Sequence, residues 1–375
     1  MMKIAWFGHV ASERRNGMVS YSRDTVRGLR EHDCEVLFFY HAARERALHD
    51  PNGIRIGSLD LMNKLTISTP RAREIITEAL KRWRTDVAHV SIGFSLLDFS
   101  LADVCHALDM PTIATMHIPY GPPDTLWGAA AQLGYRVWAN ALAKYDAVIV
   151  FSENQRSLLA EYGVGRERIY IVPNGVDVNR WSPGNSSFKE EIGASLIITY
   201  LGRVDPEKNV DVLIECFEKM NLPEDHKLVI IGDGTELSHL RRKFGRDRRI
   251  LFRGFIRDIE QNLYVLRATD IFILPSQVEG LSISMLEGMA TGCAVIATDV
   301  GSDGDALRGA GIVLDLESLE EQLPLAIRTL VEFPEFRREL GNRARTRAVA
   351  HFSMEQNLNQ LVQLYQQVYN HWHRG

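Results

Sequence analysis

The sequence predicts an α/β protein made of two successive doubly wound domains, each a parallel sheet with helices on both faces. Short β-rich runs alternate with amphipathic helical patterns along most of the 375 residues. Many of these runs are continuously apolar rather than alternating, which is typical of strands buried on both faces of a parallel sheet. A chain of this length also favours about two or three domains, at roughly 100–200 residues per domain.

The predicted strands begin with the apolar run at residues 3–8. Five more are predicted in the first half of the chain, at 36–40, 87–90, 112–115, 147–151 and 169–172. Six are predicted in the second half, at 196–201, 227–231, 250–252, 271–274, 294–297 and 311–314. Helical periodicity is clearest at 71–84, 210–220, 282–291 and 354–371. The spacing of Ala72, Ile76 and Leu80 places them on one apolar face of the first of these helices.

A change of composition marks the boundary between the predicted domains. Residues 179–187 are rich in Pro, Gly, Ser and Asn, as expected of a link. We therefore expect an N-terminal domain at 1–178, a linker at 179–195 and a C-terminal domain at 196–352. The remaining residues, 353–375, carry a helix that can pack back on the N-terminal domain. Doubly wound sheets bind ligands at the carboxyl ends of their strands, so two such domains predict an interdomain cleft.

Composition excludes several classes of protein. Hydrophobic residues make up 45% and charged residues 24% of the chain, which is ordinary globular usage and argues against disorder, collagen and coiled coil. The net charge of −5 argues against a generally basic nucleic-acid binder. The four cysteines form no C-x-x-C pair, so neither a zinc site nor a disulfide framework is expected. No apolar window approaches the ~18 residues of a membrane span, and the chain start reads as a strand, so we expect a cytoplasmic protein.

Two loops at predicted strand ends carry candidate ligand-binding residues. Strand 196–201 leads through Arg203 and Lys208 into a helix, where free N–H groups and two cations favour an anion. An ordinary solvated loop is the alternative. Strand 271–274 leads to Glu279 and Gly280, and Glu287 lies two turns further along the next helix. These carboxylates can accept sugar hydroxyls, or they can be a helix-start carboxylate and a surface residue.

Taken together, the motifs resemble the glycosyltransferases of family 4 (group 1), which have the GT-B fold of two Rossmann-like domains. The segments that carry the resemblance are PNGVD at 173–177, LGR at 201–203, EKN at 207–209, IGDG at 231–234, RGF at 253–255, and Glu279-Gly280 with Glu287, followed by GMATGCAVIATDVGS. The resemblance covers nearly the whole chain. It implies a hexosyltransferase that uses a nucleotide-diphosphate sugar, with a UDP-sugar favoured, retains the anomeric configuration, and requires neither a metal nor a cofactor.

The resemblance also implies a role for each matching residue. The C-terminal domain would bind the donor: Arg203 and Lys208 the diphosphate, Glu287 the ribose, and Glu279 the donor sugar. The backbone of Gly280, Leu281 and Ser282 would lie beside that sugar. The N-terminal domain would contribute His117 near the sugar and Gly17 near the diphosphate. His117, Arg203, Lys208 and Glu279 are the expected catalytic residues. As a lone loop histidine, His117 could equally be a structural hydrogen-bonder.

The sequence departs from the family pattern at three places. Asn16 replaces a glycine in the first loop, Ser282 stands in the Glu-Gly-Phe-Gly motif, and Asp305 takes the place of a glutamate after the Gly-Gly pair. Arg203 and Lys208, the pair expected to bind the diphosphate, are both present. The three changes leave the identity of the donor sugar undetermined. An epimerase or phosphorylase on the same fold, or a non-catalytic nucleotide-binding protein, are the alternative functions.

The acceptor is expected on the N-terminal domain and to be a sugar or a lipid. Residues 117–140 are apolar and aromatic, with Tyr120, Trp127, Tyr135 and Trp138 among them. They favour a lipid acceptor, and with it peripheral contact at the inner face of a membrane; a loop buried under the sheet edge is the alternative. Helix 71–84 carries net positive charge that could meet anionic lipid, or it could simply be the wet face of a packed helix.

Overall fold

The computed structural model describes residues 1–9, 17–42, 52–61, 65–93 and 95–374, and the chain divides into two compact units. Unit 1 consists of Met1–Ile118, Ala130–Asn174 and Met354–Gly375. Unit 2 consists of Pro119–Ala129 and Gly175–Ser353. Each unit is a doubly wound α/β structure, so the predicted fold class is confirmed.

Within its described ranges, unit 1 contains an eight-stranded sheet of order β4-β3-β2-β1-β5-β6-β7-β8. The strands are β1 Met2–His9, β2 Cys34–Ala42, β3 Gly53–Leu61, β4 Leu65–Ser68, β5 Val87–Ile92, β6 Thr112–Met116, β7 Ala147–Val150 and β8 Ile169–Ile171. All described neighbours pair in parallel except β3 and β4, which are antiparallel. Every residue of β5, β6 and β7 is buried, as their continuous apolar sequences require.

Unit 2, which is described throughout, contains a six-stranded sheet of order β11-β10-β9-β12-β13-β14. Its strands are β9 Leu196–Leu201, β10 His226–Ile231, β11 Ile250–Gly254, β12 Ile271–Leu274, β13 Ala294–Thr298 and β14 Ile312–Leu314. All five strand pairs are parallel. Every strand of this sheet coincides with a predicted strand, with ends that differ by at most two residues.

Helices connect most of the successive strands, as parallel pairing requires, and the last three helices follow β14. They are α1 Gly17–Glu31, α2 Ala72–Trp83, α3 Leu101–His106, α4 Leu126–Leu142, α5 Glu153–Glu161, α6 Phe188–Ile192, α7 Val210–Lys219, α8 Leu237–Phe244, α9 Ile259–Ala268, α10 Ile283–Thr291, α11 Asp303–Leu307, α12 Leu319–Glu332, α13 Pro334–His351 and α14 Met354–Trp372. Short 3-10 helices lie at Leu96–Phe99, Arg166–Arg168 and Pro206–Lys208. Among the helices of the described ranges, none combines the length and the apolar character that a bilayer crossing requires.

The structure differs from the sequence interpretation in the first sheet and at the domain boundary. Strands β3 and β4 were not among the predicted strands, because β3 has an alternating rather than a continuous apolar pattern. Residues 179–195 do not form a free linker, since they belong to unit 2. Trp181 is 6% exposed, and Phe188 of α6 is 1% exposed in a core cluster with Ile197 and Val229.

The final helix, α14, belongs to unit 1. It buries Leu358, Leu361 and Tyr365, and a Cβ at Gly28 of α1 would approach Leu358 Cδ1 to 2.4 Å. Glycine at position 28 therefore permits the close packing of α1 against α14.

Candidate functional site

The predicted donor residues of unit 2 lie at the topological switch point of its sheet. The chain proceeds from β9 to β10 and β11 on one side and then returns to β12, which pairs with β9 on the other side. Arg203 and Lys208 follow β9, and Glu279 follows β12. Parallel strands bring these carboxyl ends to one edge, where doubly wound sheets bind their ligands.

Lys208 and Glu279 form an ion pair that is largely enclosed. Lys208 Nζ lies 2.6 Å from Glu279 Oε1 and donates to the Val278 carbonyl oxygen at 3.2 Å. Their side chains are 10% and 15% exposed. Glu279 Oε1 also accepts the Ser276 hydroxyl at 2.7 Å. An ammonium group held near the strand ends by one carboxylate oxygen and one carbonyl oxygen is suited to bind an anionic ligand.

Arg203 is the second cation of this edge and is more accessible, with 49% of its side chain exposed. Its guanidinium donates to Asp205 and, at 2.8 Å, to Glu207 Oε1. Partial burial acts to lower the pKa of Arg203, but Glu207 and Asp205 together raise it above its usual value. Arg203 therefore remains a permanent positive charge after β9.

The turn after β12 and the start of α10 are fixed by backbone contacts. The Ser282 hydroxyl caps α10 by accepting the Met285 N–H at 3.3 Å. The Gly280 carbonyl oxygen accepts the Ser302 N–H at 2.7 Å. Gly301 has φ +60°, and a Cβ there would come within 2.2 Å of the Glu279 carbonyl oxygen, so this position requires glycine. Leu281 is buried within unit 2, whereas Glu287 lies on α10 with a partly exposed side chain.

Tyr120 contacts this turn, a role that the sequence analysis did not assign to it. Tyr120 and Glu279 form an antiparallel bridge, in which the Tyr120 N–H donates to the Glu279 carbonyl oxygen at 2.9 Å. The Tyr120 hydroxyl lies 3.2 Å from Ser302 Oγ. Residues 119–129 accordingly belong to unit 2 and not to the predicted N-terminal domain. The Pro-Tyr-Gly-Pro-Pro sequence at 119–123 indicates a turn. It does not reveal the contact with Glu279, because that residue lies far along the chain.

The buried acid after β13 is Asp303 rather than the residue that the motif suggested. Asp305 has a 32% exposed side chain that pairs with Arg308. Asp303 is 1% exposed, and its Oδ1 accepts the Ser282 N–H at 2.8 Å. The motif pointed to position 305, so the carboxyl group that contacts the turn at residues 279–282 was not predicted.

The remaining predicted site residues lie in unit 1. His117 follows β6, with its ring edge-on to Tyr21 at 4.5 Å between centroids. Burial and, second, His117 lower the pKa of the neighbouring His89 to about 3. Gly17 is the first residue of α1 and is exposed. The predicted loop position Asn16 lies outside the described residues.

The aromatic stretch at 117–140 is buried only in part, with Tyr120 and Trp127 partly exposed. Tyr135 is 0% exposed and donates its hydroxyl to the Ile118 carbonyl oxygen, and Trp138 is 7% exposed. Leu133 and Val137 of α4 remain exposed at 64% and 42%. On α2 the apolar face is buried through Ile76 and Leu80, and the basic residues face solvent. The wet-face alternative therefore describes α2, whereas the buried-loop alternative describes Tyr135 and Trp138 but not the exposed apolar residues of α4.

Two profiles of known families match successive parts of the chain. The family described as "Glycosyltransferase Family 4" matches residues 15–180, and the family described as "Glycosyl transferases group 1" matches residues 185–347. The two matches meet near the boundary between the halves of the chain. Together the two matched ranges include the motifs on which the family resemblance was based.

One relative and two solved structures illustrate the similarity. The UDP-Gal:alpha-D-GlcNAc-diphosphoundecaprenol alpha-1,3-galactosyltransferase of Escherichia coli is 25% identical over 233 residues, which cover 58% of this chain and 59% of that enzyme. Sucrose-phosphate synthase from Thermosynechococcus elongatus superposes with a TM-score of 0.77 at 19% identity, covering 99% of this chain and 100% of the other. Anabaena HepE, solved in complex with UDP-glucose, gives a TM-score of 0.77 at 16% identity and covers 98% and 100%. At these identities the structural matches establish the fold.

Proposed function

Because this chain belongs to the group 1 glycosyltransferases of family 4, we propose that it transfers a hexose from a UDP-sugar to a lipid-linked acceptor, with retention of configuration and without a required metal ion. The observation that carries the proposal is the position of two cations, Arg203 and Lys208, at the switch point of the unit 2 sheet. Glu279 and Glu287 supply carboxylates on the neighbouring turn and helix.

The chemistry follows from the charge that the reaction creates. When the bond from the anomeric carbon to the diphosphate breaks, negative charge grows on the leaving phosphate oxygen. The Lys208 ammonium, held in a poorly hydrated position, and the Arg203 guanidinium can stabilise that charge without reorganising. The loss of one such donor typically costs ~3 kcal/mol of transition-state stabilisation, which corresponds to about a hundredfold in rate.

The two acids have separate proposed roles. Glu279 lies at the turn where β12 ends, so its carboxylate is proposed to accept donor-sugar hydroxyls, beside the backbone of Gly280, Leu281 and Ser282. Glu287 is proposed to accept the ribose hydroxyls of the nucleotide. His117 is proposed to contact the donor sugar, and Gly17 is proposed to lie near the diphosphate.

The donor and acceptor classes draw support from the relatives. The Escherichia coli enzyme is named for a UDP-galactose donor and a diphosphoundecaprenol-linked acceptor, and HepE was solved with UDP-glucose. The exposed side chains of Leu133 and Val137 on α4 are compatible with peripheral contact at the inner face of a membrane. We propose a hexose because galactose and glucose are the sugars named for the Escherichia coli enzyme and for HepE.

The first test measures UDP binding and slow UDP-glucose hydrolysis by the full chain. Arg203→Ala and Lys208→Met should each lower hydrolysis about a hundredfold. Lys219→Ala is the matched control, because Lys219 is a 76% exposed cation on α7 of the same unit. Unchanged hydrolysis in Arg203→Ala would refute the diphosphate assignment.

The second test identifies the substrates and the stereochemistry. The full chain is incubated with a total lipid extract and one donor at a time: UDP-glucose, UDP-galactose or GDP-mannose. Products are detected by mass spectrometry, and their anomeric configuration is read from the NMR signal of the anomeric proton. The proposal expects a glycolipid product with retained configuration, formed equally in the presence of EDTA. UDP binding without turnover of any donor would favour a non-catalytic binding protein, and a bound pyridoxal chromophore would favour a phosphorylase.

A further inference from the structure

The segment that follows β13 packs directly on the donor turn at residues 279–282. The Ser302 N–H donates to the Gly280 carbonyl oxygen at 2.7 Å, and Gly301 is close to the Glu279 carbonyl oxygen. Asp303 comes next and opens α11. Asp303 therefore lies next to the turn that carries Glu279, the proposed sugar-binding acid.

The two oxygens of the Asp303 carboxyl group have different surroundings. Oδ1 accepts the Ser282 N–H at 2.8 Å. Oδ2 is enclosed and has no hydrogen-bond partner within unit 2 or elsewhere in the described part of the chain. Because Asp303 is only 1% exposed, a carboxylate there would place charge on an enclosed oxygen that accepts no hydrogen bond from a described residue.

The charged groups around Asp303 give it no cation of its own. From the neighbouring turns, Glu279 contributes a negative charge and Lys208 a positive one, and Lys208 lies 2.6 Å from Glu279. On its own segment are the acids Asp299 and Asp305, the latter paired with Arg308.

Arg347 of α13 also lies near this segment, and it donates to the backbone carbonyl oxygens of Asp305 and Ala306. Burial and, second, the charge of Glu279 raise the pKa of Asp303 well above its usual value. Two carboxyl groups beside one ammonium cannot both ionise cheaply.

We propose that Asp303 is a positioning residue of the donor site that acts as a neutral carboxylic acid. Its Oδ1 accepts the Ser282 N–H and so holds the turn that begins at Glu279. Because a neutral Asp303 does not attract the Lys208 ammonium, Lys208 remains available to pair with Glu279 and with the donor diphosphate. Ionised Asp303 would compete for the Lys208 ammonium and repel the phosphates. This inference rests on the proposed function, since it assumes that the turn binds a nucleotide sugar.

The binding experiment titrates the full chain with UDP between pH 7 and 9.5. Asp303→Ala leaves the Ser282 N–H without its acceptor and should weaken UDP binding about tenfold. Asp303→Asn keeps an acceptor oxygen and should restore most of that affinity. Wild-type affinity should fall more steeply with rising pH than that of Asp303→Asn, which has no proton to lose. Asp305→Asn is the matched control and should follow the wild type.

The unfolding experiment needs no ligand. A buried carboxyl group that stays protonated in the folded chain binds a proton that the unfolded chain has released. The free energy of unfolding of the wild type should therefore fall, relative to Asp303→Asn, as pH rises through the Asp303 titration. Parallel curves for the two proteins would show that Asp303 is already ionised and would overturn the inference.

The outcomes separate the two proposals. A wild-type chain that binds no UDP at any pH refutes the proposed function, and the unfolding curves still decide the protonation of Asp303. UDP binding that both Asp303 variants leave unchanged at every pH refutes the positioning role and leaves the proposed function standing.

Discussion

Replacement of Lys208 by methionine tests the ion pair with Glu279 through stability and through binding. Methionine keeps an unbranched apolar side chain but removes the ammonium, so Glu279, 15% exposed, loses its cation. At 2.6 Å the Coulomb attraction is about 6 kcal/mol for an effective dielectric constant of ~20, and desolvation of both ions offsets much of it. Removing one partner of a buried pair costs about 3–5 kcal/mol. Because the Ser276 hydroxyl remains on Glu279, we expect the lower end, about 3 kcal/mol.

A double-mutant cycle separates this cost from the loss of function. Glu279→Gln removes the opposite charge and leaves Lys208 bonded to the Val278 carbonyl oxygen. In the Lys208→Met, Glu279→Gln protein neither ion is left unpaired, so we expect it to lose less stability than the two single variants together, with a coupling of about 2 kcal/mol. UDP affinity, by contrast, should stay low in the double variant, because the diphosphate still lacks its ammonium.

The assay is urea unfolding, with calorimetry to resolve the transition of unit 2, combined with UDP titration of each protein. Two separate units make a single two-state transition unsafe to assume, so the unit 2 transition is followed by itself. Additive stability losses would refute the buried ion pair. Recovery of UDP affinity in the double variant would refute the role of Lys208 at the diphosphate.

The remaining predictions concern pH, backbone geometry and packing. Because burial lowers the pKa of His89 to about 3, the unfolded chain takes up a proton that the folded chain does not, and the free energy of unfolding should fall as pH drops below about 6.5. His89→Gln should flatten that slope in acid titrations of unit 1. Gly232→Ala should destabilise unit 2 by at least about 1–3 kcal/mol, because φ is +145° and a Cβ would lie 1.7 Å from the Gly202 carbonyl oxygen; an unchanged calorimetric transition would contradict this. Arg345 donates to three backbone carbonyl oxygens, so Arg345→Ala should lower the unit 2 melting temperature, whereas Arg343→Ala, which removes an exposed pair, should change stability by less than about 1 kcal/mol.

The strands of unit 2 were predictable because each contains an apolar run, and in the central strands β9, β12 and β13 that run is buried on both faces. Strand β3 was not predicted, because its alternating residues satisfy that rule only weakly and its antiparallel partner β4 follows closely in the chain. The predicted linker failed for a related reason. Its composition indicates irregular structure, but composition does not reveal that Phe188 fills a core cluster of unit 2.

The candidate site was predictable where it depends on motifs at strand ends. Arg203, Lys208 and Glu279 were identified from the sequence, and their placement at one sheet edge follows once the strand order is known. Tyr120 and Asp303 were missed. The contact of Tyr120 with Glu279 joins residues far apart in the chain, and the motif pointed to Asp305 in place of Asp303.

The order of apolar runs and helical periods settles the architecture of both halves, since burial of those runs admits few arrangements other than parallel sheets covered by helices. The chemical state of individual groups was decided only by folding. Lys208 and Glu279 are 71 residues apart, and Asp303 and Ser282 are 21 apart, yet each pair meets in a poorly hydrated interior. Hydration and the nearest charge determine whether a carboxyl group keeps its proton, and both depend on which distant segments pack together.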